Sequence, residues 1–396
     1  MPDLIDNTNA NIFPKASPDS MLARLLLAFL ATAGLFYVNI MPALVDGLVE
    51  GLGFTNKEAG LVGSSNVYGA AVGALLIVFL ISRINWRTAA WIFLSGLIII
   101  DAASTFIDDA QLLTSLRFLH GLIGGMLVGT GFAVIARTHK PDRTFGMLLG
   151  VQYGLGGLGI MVIPPLVPDF GTPILFFTLI GFSVVTALML PFIPDYPIDT
   201  KSADRSEHQA PAIKLQPLSL TLLALFLFQA ANMAVFAYII VLGKSFGLDP
   251  AFIMPVLGAA SWVGVLGALL VVIFSTRFGR IFPILVGMTV TLMATWLLHY
   301  SGSPLAFIIA NCAVGITWAF IIAYLLGMSA EFDKAGRMAA LGGFASKMGL
   351  ASGPFVAALI VGDDNYALLV NVALVFMAIS MIAAIIPARF LDRVAN

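Results

Sequence analysis

Residues 73–86 read GALLIVFLISRINW, and residues 267–280, which lie 194 positions further on, read GALLVVIFSTRFGR. Each is an apolar run that ends in an arginine, the pattern of a membrane crossing that emerges into a basic loop. Moving outward at the same shift, and without a gap, Gly53 pairs with Gly247, Gly121 with Gly315, Arg143 with Arg337 and Gly159 with Gly353. One such match is cheap in a chain rich in Gly, Ala and Leu. Several basic or loop-edge coincidences at one offset, close to half of 396 residues, indicate an internal repeat.

Composition fixes the class. Hydrophobic residues make up 60% of the chain, charged residues 10%, and the mean hydropathy is +1.00, values that a water-soluble domain does not carry. The formal charge of −1 offers no basic footprint for nucleic acid. Cys312 is the sole cysteine, which excludes a disulfide framework or a thiolate metal cluster. No Asn-x-Ser/Thr acceptor occurs, in keeping with an unglycosylated bacterial inner-membrane protein.

A crossing needs about 20 apolar residues, and the polar clusters divide the chain into twelve stretches: 22–45, 57–81, 88–107, 112–136, 144–168, 173–193, 217–243, 251–275, 281–300, 304–329, 337–361 and 367–388. Thr55 to Glu58 reads as a capping box before the second, and Asp249-Pro250 as the cap of the eighth. Sixteen lysines and arginines fall on one side of this topology, and only Lys57 and Lys244 on the other. The positive-inside rule therefore puts both termini in the cytoplasm. The expected chain is an all-α integral membrane protein. It has a cytosolic tail (1–21), a six-helix bundle (22–193), a polar, proline-rich cytoplasmic linker (194–216), a second six-helix bundle (217–388) and a short cytosolic tail (389–396).

Several local patterns resemble the major facilitator superfamily. The turn from Met41-Pro42-Ala43-Leu44 through Leu52-Gly53-Phe54-Thr55 to Ala59-Gly60 is similar to that family's signature between helices 1 and 2. Its Asp-Arg-x-Gly-Arg loop is kept in part as Thr276-Arg277-Phe278-Gly279-Arg280 and degraded to Ser82-Arg83-Ile84-Asn85-Trp86; both copies lack the aspartate that helps latch the cytoplasmic side. Arg117-x-x-x-Gly121 resembles the family's helix 4 motif, with His120 where glutamine is common. Gly146, Gly150, Gly154, Gly156, Gly157 and Gly159 resemble the glycine-rich helix 5 element of antiporters, with Leu155 in place of its proline, and Gly349-x-x-x-Gly353-Pro354 is its counterpart. Close packing of small residues explains the same spacing. The resemblance implies two pseudo-symmetric bundles that rock about a central cavity, in a protein expected to be monomeric and to use no cofactor or metal.

Ionisable residues inside the bilayer are functional hypotheses by default. Asp101 and Arg117 are each eight residues from the turn at position 109, so they lie at similar depth and are expected to pair, either as a fixed bridge or as a site where Asp101 takes a proton and releases Arg117. At the repeat offset they become Thr295 and Asn311, a neutral pair. His120 lies one turn deeper, on a neighbouring face, as a proton relay or a packing residue. Lys347 lies ten residues inside its crossing, about 15 Å deep, with no acid in spans 7–12. A central ammonium without a counter-charge must deprotonate or meet an anion.

The helices that line the family's cavity carry Tyr37 and Asn39; Gln152 and Tyr153; Gln229, Asn232 and Phe236 on one face; and Asn311, Trp318 and Tyr324. With Lys347 these form the candidate substrate site, while Asp101, Arg117, His120, Arg83, Arg277 and Arg280 are candidates for proton coupling or gating. The expected activity is proton-coupled secondary transport of a small organic anion or amphipathic carboxylate. Proton-antiport efflux of amphipathic compounds, and a transporter-like ligand sensor, are the alternatives. No Walker-type phosphate loop, His-Glu-x-x-His or Gly-x-Ser-x-Gly motif is present, so nothing in the chain points to an enzyme.

Overall fold

In the computed structural model the described residues are 14–81, 84–196, 215–274, 277–332, 337–362 and 365–395. They form helices and no β-strand. The first crossing comprises three pieces, α1 (Met21–Ala33), α2 (Phe36–Asn39) and α3 (Met41–Leu52). The crossings that follow are α4 (Asn56–Leu80), α5 (Trp86–Ser104), α6 (Ala110–Ala136), α7 (Pro141–Phe170), α8 (Pro173–Met189), α9 (Leu215–Ser245), α10 (Pro250–Phe274), α11 (Ile281–Leu297), α12 (Pro304–Glu331), α13 (Arg337–Ile360) and α14 (Tyr366–Ala395). Eleven of these segments are long and apolar enough to span a bilayer, and α1 is a shorter apolar helix. With the broken first crossing the count of twelve holds.

The single helix expected over 22–45 is corrected to a broken one that runs on to Leu52. The break has local causes. A Cβ at position 34 would collide with the carbonyl of Gly124, so Gly34 lets the backbone lie directly on α6. Pro42, near the start of α3, has no N–H to continue the ladder. Phe36, turned out by the break, stacks on Phe182 of α8 with centroids 4.5 Å apart. Elsewhere the sequence cues hold: Thr55 and Glu58 form the reciprocal capping box of α4, and Asp249 accepts from Ala251 N–H at 2.8 Å to start α10.

The repeat is visible in backbone contacts. Gly121 of α6 abuts the carbonyl of Asn66 in α4, and Gly315 of α12 abuts that of Ala260 in α10. Gly73 faces the carbonyl of Leu122, and Gly267 that of Ile316. In each case the partners, like the glycines, are 194 residues apart. Gly53 and Gly247, at φ +67° and +81°, end α3 and follow α9 in the left-handed conformation that glycine adopts without strain. The proposed linker, 194–216, falls almost wholly outside the described residues.

The two halves meet along a seam that runs from mid-membrane to the face opposite the termini. Across it, Ser64 Oγ donates to Ala351 O at 2.9 Å, Tyr68 and Ser352 hydroxyls lie 2.8 Å apart, and Tyr238 OH donates to Asn56 O at 2.7 Å. Trp262 Nε1 donates to Gly154 O at 3.1 Å. Nearest the face opposite the termini, Lys244 Nζ lies 2.6 Å from Asp46 and 3.2 Å from Glu50. Among the described residues, the hydrogen bonds and ion pairs that join the halves lie between mid-membrane and that face, which leaves the termini side as the open side of a cleft between them.

Candidate functional site

Lys347 stands at the apex of this cleft. In α13 it is one and two turns from Ala351 and Phe355, which meet α4 at Ser64 and Tyr68, so it shares their face at the point where the seam ends. No hydrogen bond or ion pair reaches its Nζ among the described residues. Its neighbour Ser346, buried and not foreseen from sequence, accepts from Gln229 Nε2 at 2.8 Å. The Gln229 Oε1 accepts from Trp318 Nε1 at 2.6 Å. Trp318 meets the ring of Tyr153 edge-on, with centroids 6.3 Å apart, across the gap between halves. Thus Ser346, Gln229, Trp318 and Tyr153 converge from α13, α9, α12 and α7, and Lys347 follows Ser346 in α13 on the face turned to α4.

Other candidates do not join them. Asn311 donates to Phe307 O of its own helix at 2.8 Å. Tyr324 packs edge-on against Phe320 in the second-half core, and Phe236 against the seam core. Gln152 is half-buried without a side-chain partner among the described residues. Asn232 uses its amide N–H on Phe228 O at 2.8 Å, while its Oδ1, and Asn39 Nδ2 beside Gly156, are buried without partners.

A second centre lies wholly within the first half. Arg117 and Asp101 pair at 2.7 Å, both side chains fully buried, as the spacing requires. Arg117 also donates to the Ser104 hydroxyl and, at 3.3 Å, to Ile100 O, and its guanidinium lies 5.1 Å from the centroid of the Phe176 ring. His120, grouped with the pair as a proton-coupling candidate, lies beside it, with Nε2 3.3 Å from the second carboxylate oxygen. That approach is off-line, so Asp101 Oδ2 takes no aligned hydrogen bond. Asn66 of α4 bonds His120 Nδ1 at 2.7 Å and Arg117 O at 3.2 Å, and Tyr37 of α2 packs its ring 5.8 Å from the imidazole. The repeat counterparts do not touch each other: Thr295 faces Met377 Sδ at 3.5 Å, and Asn311 is occupied as above.

On the termini face Arg83 is outside the described residues and Arg277 is exposed. Arg280 pairs with Glu331 at 2.5 Å and Asp392 at 3.1 Å, within its own half. Asp392 also accepts from the backbone N–H groups of Arg280 at 2.9 Å and Ile281 at 3.2 Å. The end of α14 thus supplies the carboxylate missing from the Thr276–Arg280 loop, as an anion at the start of α11. Asp392→Ala is expected to cost about 1–2 kcal/mol, the loss of a charged cap, read as a lower midpoint in detergent melting. An unchanged midpoint would remove Asp392 from this role.

The sequence profile of the Major Facilitator Superfamily matches residues 25–354. A search of curated proteins finds no match. Among solved structures, a mutant of the nucleoside transporter NupG superposes with a TM-score of 0.70 at 16% sequence identity, covering 92% of this chain and 98% of that one. At that identity the likeness is one of fold.

Proposed function

The chain belongs to the major facilitator superfamily, and from that premise we propose that this multi-pass transporter carries a small organic monoanion, such as an amphipathic carboxylate, by proton-coupled alternating access. The observation that carries the anion is Lys347, an ammonium at the apex of the cleft with no hydrogen-bond or ion-pair partner among the described residues. Such a group is costly until an anion meets it. Gln229, Trp318 and Tyr153, joined to α13 through Ser346, the residue before Lys347, suit a planar, largely apolar body held by few polar contacts. A single cation favours a single negative charge.

Protons enter through Asp101. Protonation would remove its attraction for Arg117, and the Ser104 hydroxyl and Ile100 carbonyl already bound to the guanidinium would hold it meanwhile. With the termini in the cytoplasm of a bacterial inner membrane, as the basic loops argue, the cleft faces inward and Lys244, Asp46 and Glu50 close the outer side. Lys244→Gln is expected to speed outside labelling of a cysteine placed at Ser64, in a Cys312→Ser background, about tenfold, the equivalent of ~1.4 kcal/mol. An unaltered rate would dismiss the pair as a gate.

A nucleoside is the other reading, drawn from the structural neighbour. The amide and the two rings suit a base, but a neutral nucleoside leaves Lys347 uncompensated. The test is a thermal-shift screen of the purified protein against carboxylates, cationic amphiphiles and nucleosides. A ligand specific to the folded state raises stability by RT ln(1 + [L]/Kd). Carboxylates should stabilise the protein, and Lys347→Gln should erase that gain. Stabilisation by nucleosides or cations, equal in both proteins, overturns the anion reading.

A further inference from the structure

Asn66 sits where α4 and α6 lie backbone to backbone, and it touches the one imidazole in the buried charge cluster. Its Nδ2 lies 3.2 Å from Arg117 O and 2.7 Å from His120 Nδ1, and both Asn66 and His120 are buried, at 3% and 4% exposure. A carbonyl oxygen only accepts, so the amide must present its NH2 on that side. Turned over, it would set Oδ1 against the Arg117 carbonyl, acceptor on acceptor. With the amide so oriented, Nδ1 is the acceptor of the second N–H. The imidazole is then neutral, with its one proton on Nε2, pointing toward Asp101 Oδ2 at 3.3 Å.

The groups that face His120 from the packed elements are Asp101 of α5, Arg117 of its own helix, Tyr37 of α2 and Asn66 of α4. One negative and one positive charge cancel, and a neutral ring keeps that balance. We propose that Asn66 is a positioning residue that holds His120 as the neutral Nε2–H tautomer, and so keeps Asp101 ionised and paired with Arg117 while the cleft is open on the termini face. A proton delivered from water to Nδ1 would meet the Asn66 NH2 head-on, and both could not stay. The yielding element is α4, which also carries Ser64 and Tyr68, two of the bonds that close the seam. Loading the imidazole therefore strains the closed seam through one helix.

This inference rests on the proton-coupled reading of the cluster, but its first test needs no flux. The protein, labelled with 15N-histidine in lipid nanodiscs, has four histidines, and His120→Gln assigns the signal. At pH 7.5 His120 should show a protonated Nε2 and a bare Nδ1. An imidazolium, or an Nδ1–H tautomer, overturns the proposal. Asn66→Asp replaces the donor by an acceptor, so the ring should keep its second proton at a pH where the parent protein has lost it. The pH of half-maximal uptake in proteoliposomes should then rise by about one unit or more, as for a new carboxylate beside the ring; an unmoved profile and ring counts against the proposal. If that variant does not fold, Asn66→Ala serves, since loss of the amide should leave a mixture of tautomers, and an unchanged single tautomer overturns the idea. If the tautomer is as stated but transport moves no protons, the coupling reading falls and the positioning role stands.

Discussion

Replacement of Lys347 by glutamine is expected to weaken anion binding about tenfold to a hundredfold and, at the same time, to raise the melting temperature of the ligand-free protein. The first effect follows from a charge-assisted hydrogen bond, about 1.5–3 kcal/mol, at one decade per ~1.4 kcal/mol. The second follows from removing an ammonium that has no partner among the described residues, since a buried charge without a counter-ion destabilises the fold. The two effects have opposite signs, and that opposition separates a binding residue from a structural one, because a lysine kept for packing would lose stability on replacement. Melting curves of both proteins, with and without the best carboxylate, read both at once. A lower apo midpoint for Lys347→Gln would dispose of the argument.

Breaking the Asp101–Arg117 pair is expected to cost more. Either Asp101→Asn or Arg117→Gln leaves one full charge in a site where both side chains are 0% exposed, a penalty of about 3–5 kcal/mol. That is a large fraction of the 5–15 kcal/mol or so that holds a typical domain together. The double replacement leaves no net charge and should recover much of the loss. Urea or thermal midpoints of the two singles and the double form a cycle whose coupling term should be large. Additive losses would mean that the two residues act separately. Asp101→Asn should cost more than the pair alone implies, because His120 also loses the carboxylate it faces, while the bonds of Arg117 to Ser104 and Ile100 O limit the loss.

Some of this was legible before any coordinates. Apolar length located the crossings, the 194-residue offset picked out Gly121 and Gly73 as repeated positions, and equal distance from a turn sufficed to pair Asp101 with Arg117. Those inferences use periodicity along the chain. What escaped was set by rotation about helix axes and by contacts between distant segments. The break in the first crossing depends on Gly34 meeting the backbone of Gly124, which no local pattern announces. Ser346 reads as one small polar residue among many until Gln229 binds it. His120, assigned by spacing to a neighbouring face, reaches the same carboxylate as Arg117 because both side chains are long enough to converge on it. Asp392 could not be seen as the missing loop acid, since more than a hundred residues separate it from Arg280 and only the packing of α14 against α11 brings them together. The aromatic candidates Tyr324 and Phe236 went to the core, where large rings gain most from burial.

The cluster of Lys244, Asp46 and Glu50 has a symmetry of its own. Glu50 and Lys244, 3.2 Å apart, differ in number by the repeat offset of 194, so each is the other's counterpart and the pseudo-two-fold axis passes between them. In a dimer of identical halves, the residue at such a place faces its own copy and can meet only its own charge. Opposite charges on the axis are open only to halves whose sequences have diverged, so divergence of the repeat supplied an attraction that no symmetric pair can make.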